Sequence, residues 1–160
     1  MTRQKTLLLL AASGSAALLL GALAFEHLGG MAPCKLCIWQ RWPHGIAIAL
    51  GALGLLAMPA LMAGLGALAA LATALIGGYH TGVERGWWPG PSDCSGAPAS
   101  SLSTEDLFAQ IMAAPLVRCD EVPWEMLGLS MASWNMAISL GLVLIWLMAL
   151  RTGLEGRTGR

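Results

Sequence analysis

The sequence predicts an all-α integral membrane protein, with one membrane domain of residues 1–160 built as a bundle of four transmembrane helices. The first observation is the composition, which is 56% hydrophobic and only 11% charged, whereas about a quarter of the residues in soluble domains are charged. The second is a set of three charge-free stretches, 7–25, 42–79 and 126–150. A membrane helix needs about 20 apolar residues, so the middle stretch is long enough for two helices.

The helices are assigned from these stretches and from one proline. Pro59 lies in the middle of the long stretch, between Met58 and Ala60. Proline interrupts a helix because it lacks an N–H and clashes with the preceding turn. We therefore expect a tight helical hairpin there, and a single kinked, strongly tilted helix is the alternative. The predicted helices are about 6–25, 40–58, 61–80 and 127–150.

The distribution of charge predicts the orientation. Basic residues precede the first helix and follow the last one: Arg3, Lys5, Arg151, Arg157 and Arg160. The positive-inside rule then places both termini in the cytoplasm. Every acidic residue except Glu155 falls in two outer loops, about 26–39 and 81–126, together with all four cysteines. In a bacterium these loops of an inner-membrane protein face the periplasm, where disulfides persist. The formal net charge of zero indicates no nucleic-acid partner.

The first helix has an alternative interpretation as a signal peptide. Basic residues, an apolar run and the small-residue sequence Ala22-Leu23-Ala24 are typical of a signal with its cleavage site. The run Leu7–Leu23 is, however, longer than the about 7–15 residues of a signal core. Its small residues suit close packing of helices in lipid. We therefore expect the first helix to be retained.

The long outer loop is predicted to carry a short amphipathic helix. Ser103-Thr104-Glu105-Asp106 is typical of a helix start, with a capping hydroxyl and acids near the positive end of the dipole. The apolar residues that follow fall on one face: Leu107, Phe108, Ile111 and Met112. Such a helix either lies on the bilayer or packs on the protein.

The four cysteines carry the candidate chemistry. Cys34 and Cys37 form a Cys-x-x-Cys pair beside a membrane span, and Cys94 and Cys119 lie in the long loop. A Cys-x-x-Cys pair usually indicates redox work or metal binding. Three interpretations compete. A zinc site of four thiolates normally needs two closely spaced pairs, but Cys94 and Cys119 are 25 positions apart, so we expect no metal site. Two structural disulfides are possible, but a Cys34–Cys37 bond would close so short a loop that it would add little stability. The third is a relay, in which one disulfide oxidises a partner and is reoxidised by the other.

Arg41 favours the relay. It follows Cys37 by four positions, so a helix places both on one face. A nearby guanidinium and the positive end of the helix dipole both favour the thiolate, which is the form that attacks disulfides. The alternative is an arginine that extends to lipid phosphates.

These residues also carry a resemblance to a known family. Residues 33–43, PCKLCIWQRWP, resemble the bacterial disulfide bond formation protein B (DsbB) family. The other matching segments are Gly82-Val83-Glu84, Trp88-Pro89-Gly90-Pro91 with Cys94, Cys119-Asp120 with Trp124, Leu127-Gly128-Leu129-Ser130-Met131, and Trp134-Asn135. The resemblance runs from the first helix to the last, and the combination is specific where a Cys-x-x-Cys alone is not.

The resemblance implies a membrane thiol oxidase that passes electrons to ubiquinone (or menaquinone) and reoxidises a periplasmic, thioredoxin-like dithiol oxidase (DsbA). It implies that the partner attacks Cys94, that the released Cys119 attacks Cys34, and that Cys37 faces the quinone while Arg41 steadies the developing negative charge. Cys37 and Arg41 would thus bind the quinone.

Other residues and functions have weaker support. His80, placed at the outer end of the third helix, could move a proton but more often such a histidine is an interfacial hydrogen-bonder. Glu26 is interpreted as a solvated loop acid, and the effect of Lys35 between the paired cysteines is open. The rival functions are a vitamin K epoxide reductase-like enzyme, in which we would expect the cysteine pair near a late helix, and a membrane scaffold stapled by two disulfides.

Overall fold

The computed structural model describes residues 2–92, 94, 95, 103, 105, 108, 112 and 117–158. Four long helices form the fold: α1 (Arg3–His27), α2 (Lys35–Leu56), α3 (Pro59–Glu84) and α4 (Met131–Thr158). Helix α3 packs against both α2 and α4, and α1 closes the other side against the same two helices. These four long helices form a bundle within the part of the chain that the structure describes.

Three of the four helices, α1, α3 and α4, are long and apolar enough to cross a membrane. Many of their leucines are exposed on the outside of the bundle, as expected of side chains that contact lipid. The chain is therefore a multi-pass membrane protein. Helix α2 does not meet the same criterion among the described residues; its first half carries Lys35, Gln40, Arg41 and His44. The predicted count of four spans stays a prediction.

The turn between α2 and α3 lies where the proline predicted it. Helix α2 ends at Leu56, Met58 adopts a left-handed conformation (φ 46°, ψ 52°), and Pro59 is the first residue of α3. Proline fits this position because the first N–H groups of a helix have no intrahelical partner. The hairpin is therefore confirmed, and the single kinked helix is wrong.

Helix boundaries differ from the prediction at the outer end of the bundle. Helix α1 continues to His27 and α3 to Glu84, so Glu26 and Glu84 lie in helices and not in loops. Helix α2 begins at Lys35, five residues earlier than predicted, because Cys34 caps it: its sulfur accepts the backbone N–H of Cys37. The apolar stretches predicted the middle of each helix correctly, but they did not include the polar residues in the first and last turns.

The start of α4 was also predicted too early, at residue 127. Glu125–Met126 and Leu129–Ser130 instead form a two-stranded antiparallel hairpin, and α4 begins at Met131. Leu127 and Gly128 form its turn, with φ values of 55° and 74°. A two-residue turn with positive φ at both positions matches the twist of a hairpin, and a right-handed helix cannot include it. Helix α4 runs on to Thr158, beyond the predicted end at 150.

The centre of the bundle is built around Trp146, which is fully buried. A Cβ atom on Gly66 would lie 2.6 Å from its ring, so only glycine lets α3 and α4 approach there. The rest of this core is small or aliphatic: Leu8, Ala11, Ala47, Ala63, Ala67, Ala70 and Leu142. Close contact through small residues is the usual way in which helices associate in lipid.

Most of the predicted amphipathic helix of residues 103–112 lies outside the described residues. Glu105, Phe108 and Met112 are helical and exposed. Exposed apolar side chains on such a segment agree with either predicted location, the bilayer or a protein surface.

Candidate active site

All four cysteines lie in one buried cluster at one end of the bundle. Cys34, Cys94 and Cys119 are 4%, 1% and 0% exposed, and the partly exposed Cys37 packs against them. Leu36 of α2 and Val83 of α3 complete the cluster. Cysteines from two distant parts of the chain therefore come into one apolar environment.

Cys34 and Cys37 are free thiols at the N-terminus of α2. The Cys34 thiol donates to the Cys37 sulfur over 2.7 Å, and the Cys37 N–H donates to the Cys34 sulfur over 3.1 Å. The hydrogen bond to Cys37 and the burial of Cys34 raise the pKa of the Cys34 thiol. A disulfide has an S–S length of about 2.05 Å, so closing the pair requires only a small movement.

Cys94 and Cys119 are joined by a disulfide, with their Cα atoms 5.4 Å apart. The Cys119 N–H donates to the Cys94 carbonyl over 2.7 Å, which aligns the two segments beside the bond. Arg118 forms an ion pair with Asp120 immediately after it, and this guanidinium lowers the pKa of the Asp120 carboxyl. The pairing of these two cysteines, which the sequence left open, is thus a feature of the structure.

The segment before Cys94 is attached to the end of α3 by aromatic contacts. The Trp88 ring stacks on Tyr79, and its Nε1–H donates to the Tyr79 carbonyl over 3.0 Å. A Cβ on Gly82 would lie 2.0 Å from the Trp88 ring, so the ring packs directly on the backbone of α3. The Tyr79 hydroxyl donates to the Pro89 carbonyl. These contacts position the disulfide over the N-terminus of α2.

His80 lies between the two cysteine pairs. Its Nε2 is 3.6 Å from the Cys34 sulfur. The side-chain amide of Gln40 lies 2.9 Å from His80 Nδ1. The prediction placed His80 at the end of α3, but the helix continues for another turn and the ring is buried.

Glu84 is a buried acid that sequence reasoning noted only within the family resemblance. Its Oε1 lies 3.8 Å from His80 Nε2, and the Ser130 hydroxyl donates to its Oε2. Ser130 is in turn linked to Ser133, and Ser133 to Thr81. The sequence did contain a hint of this contact. Glu84 follows His80 by four positions at the end of an apolar stretch, and this spacing places both side chains on one helix face.

Arg41 forms an ion pair with Glu26 of α1. The two side chains are only 19% and 25% exposed, so the interpretation of Glu26 as a solvated loop acid is wrong. The Arg41 Nε is buried and donates to no atom of the described residues. Arg41 is therefore held in place by α1, with one donor free. Lys35, which the sequence left open, lies 5.3 Å from the centre of the Trp39 ring.

A buried polar network continues from the site into the bundle. The Asn135 amide donates to Gln40 Oε1 over 2.7 Å and contacts the Thr73 hydroxyl over 3.1 Å. His44 Nε2 lies 2.8 Å from Asn135 Oδ1. Side chains of three helices bond one another, as buried polar groups in lipid usually do, and the network fixes Gln40 behind His80.

A cavity lies at each end of the bundle, and only one of them is near the candidate site in sequence. A shallow apolar cavity of about 270 Å³ is lined by Gly21, Ala24, Phe25 and Gly29 at the end of α1, next in sequence to Glu26. A larger one of about 700 Å³ lies among Thr2, Met58, Pro59 and Gly153 at the opposite end of the bundle. The second cavity is remote from every cysteine and has no part in the candidate site.

Comparison with known proteins identifies the family. A family model described as "Disulfide bond formation protein DsbB" matches residues 4–149. Three relatives are each named Disulfide bond formation protein B. That of Stutzerimonas stutzeri is 32% identical over 89% of this chain and 93% of the relative. That of Pasteurella multocida is 34% identical over 78% and 74%, and that of Azoarcus sp. is 31% identical over 83% and 85%. The chain therefore belongs to the DsbB family of disulfide bond formation proteins, and its relatives imply a disulfide oxidoreductase activity.

Proposed function

We propose that this protein is a quinone-dependent thiol oxidase, which reoxidises a periplasmic, DsbA-like dithiol oxidase of the thioredoxin type. The observation that carries the proposal is the single buried cluster of four cysteines, which contains one disulfide and one dithiol. In a membrane scaffold the disulfides would only hold the loops together, and the two cysteine pairs would not need to lie in one cluster.

The proposal includes a topology of four spans in one membrane domain, with both termini in the cytoplasm and the cysteines in the periplasm. Arg3 lies at the same end of the bundle as Pro59 and Gly153, because all three line one cavity. The cysteines lie at the other end, where α2 begins and α3 ends. The positive-inside rule assigns the basic end to the cytoplasm of the bacterial inner membrane.

In the proposed exchange, a thiolate of the reduced partner attacks Cys94 and releases Cys119 as a thiolate. Cys119 attacks Cys34 of a Cys34–Cys37 disulfide and releases Cys37. The partner's second thiol then displaces Cys94, which closes again on Cys119 and releases Cys34. The partner leaves oxidised, and two electrons now reside on the first pair.

The residues around Cys37 fit a quinone, ubiquinone or menaquinone, as the acceptor. The buried Arg41 Nε has a donor to offer to an oxyanion, and Glu26 fixes the guanidinium. Exposed apolar side chains flank it on α2: Ile38, Trp39 and Trp42. A bound quinone would take up the two electrons and two protons that are released when Cys34 and Cys37 form their disulfide.

The test uses purified protein in detergent with a soluble quinone and a reduced thioredoxin-like partner. The proposal predicts quinone consumption that Cys37→Ser abolishes, and a mixed disulfide with the partner that Cys94→Ser abolishes. Quinone consumption that survives Cys37→Ser would overturn the assignment of roles, and no quinone consumption by the unaltered protein would favour the scaffold.

A further inference from the structure

The reduced cysteine pair and His80 have the arrangement of a metal site. The sulfurs of Cys34 and Cys37 and a ring nitrogen of His80 all lie within 4.8 Å of one another. Zn–S and Zn–N bonds of about 2.3 and 2.0–2.1 Å at a tetrahedral angle require a sulfur-to-nitrogen distance of about 3.5 Å. The distance between Cys34 Sγ and His80 Nε2 is 3.6 Å.

We propose that the reduced protein binds one Zn²⁺ through Cys34, Cys37 and His80. Two thiolates and one imidazole are a donor set that zinc prefers, and three protein ligands leave a fourth position for water. The step involves no electron transfer: Zn²⁺ replaces the two thiol protons, which are released to solvent. The sulfurs, 2.7 Å apart, must separate to about 3.8 Å to reach tetrahedral positions.

Neighbouring groups support a metal at this position. The side-chain amide of Gln40 lies 2.9 Å from His80 Nδ1 and holds the ring with Nε2 facing the Cys34 sulfur, as supporting hydrogen bonds orient histidine ligands at metal sites. Glu84, 3.8 Å from His80 Nε2, adds a negative charge. Glu26 offsets the positive charge of Arg41. Of the three ligands, Cys37 is partly exposed, so an ion can reach the site from its side.

Zinc would bind only the reduced pair, because a disulfide has no thiolate to offer. Its inhibitory consequence rests on the proposed function: the metal holds both sulfurs that must form the disulfide, so it arrests the oxidase in the reduced state. Binding itself requires neither the quinone nor the partner.

The test measures Zn²⁺ affinity in the absence of both. Full-length protein in detergent, with Cys94→Ser and Cys119→Ser to leave one cysteine pair, is reduced and titrated anaerobically against a zinc-binding dye. We expect one zinc per chain, and none after oxidation with diamide. Loss of a supporting hydrogen bond alone weakens metal sites about 10–100-fold, so His80→Ala should weaken binding at least tenfold.

The controls separate ligation from folding. His27→Ala removes an exposed histidine at the end of α1, which takes no part in the network around His80, and should leave zinc affinity unchanged. His80→Cys restores a soft ligand and should restore binding. An affinity that His80→Ala leaves unaltered, or equal binding by the oxidised protein, would overturn the site. Failure of the quinone assay with normal zinc binding would refute only the proposed function.

Discussion

Replacing Glu26 by glutamine removes the carboxylate that holds Arg41 while keeping the shape of the side chain. The two side chains are 19% and 25% exposed, so water screens this pair less than a fully exposed one. Loss of the carboxylate frees the guanidinium from its position, and we expect a change in affinity of about tenfold. Because Arg41 is the proposed oxyanion donor, we expect the loss to appear as weaker binding of the quinone.

The assay follows quinone reduction by the purified protein at limiting and saturating quinone. We expect Glu26→Gln to raise the apparent KM for quinone about tenfold, with formation of the mixed disulfide at Cys94 unchanged. The matched control is Glu155→Gln, which breaks an exposed ion pair with Arg151 at the opposite end of the bundle and should change neither value. An unaltered KM in Glu26→Gln would refute the reasoning and return Arg41 to an interaction with lipid phosphates.

Two further predictions concern the cysteines and the segment before them. In the reduced protein, iodoacetamide should label the partly exposed Cys37 before Cys34, because burial and the hydrogen bond to Cys37 raise the pKa of Cys34; labelling of Cys34 should increase only at higher pH, where its thiolate forms. Peptide mass spectrometry after timed quenching measures the order, and equal rates at neutral pH would contradict it. Gly82→Ala places a Cβ 2.0 Å from the Trp88 ring and should lower stability by about 1–3 kcal/mol, as a fall in Tm, and slow the reaction with the partner. Gly45→Ala, where no atom lies within 4 Å, is the control, and an equal Tm in both variants would show that the Trp88 contact does not constrain the loop.

The helices were predictable where apolar residues alone decide them. The charge-free stretches located α1, α3 and α4, and Pro59 located the turn after α2. Their ends were predicted less well, because caps and turns set the ends of helices. The cap at Cys34 and the left-handed turn at Leu127 and Gly128 depend on local hydrogen bonds and backbone angles that hydropathy does not express.

The site was predictable in its residue types but not in its contacts. Sequence reasoning selected the four cysteines and Arg41, and the structure brings the cysteines together and pairs Arg41 with Glu26. Glu26 was misinterpreted because it stands at the end of an apolar stretch, where an acid commonly faces water. Whether it does so depends on the helix packed beside it, and here that helix carries a guanidinium.

The sequence by itself determined that this chain resides in a membrane, that it carries a closely spaced cysteine pair beside a membrane helix, and that it resembles one family. These features depend on composition and on residues within a turn or two of one another. Only the tertiary structure decided that His80, 46 positions from Cys34, lies 3.6 Å from its sulfur, and that Glu84 and Gln40 surround that histidine. The physical reason is that contacts between residues far apart in sequence depend on how α2 packs against α3, and the sequence does not give the relative position and rotation of the two helices.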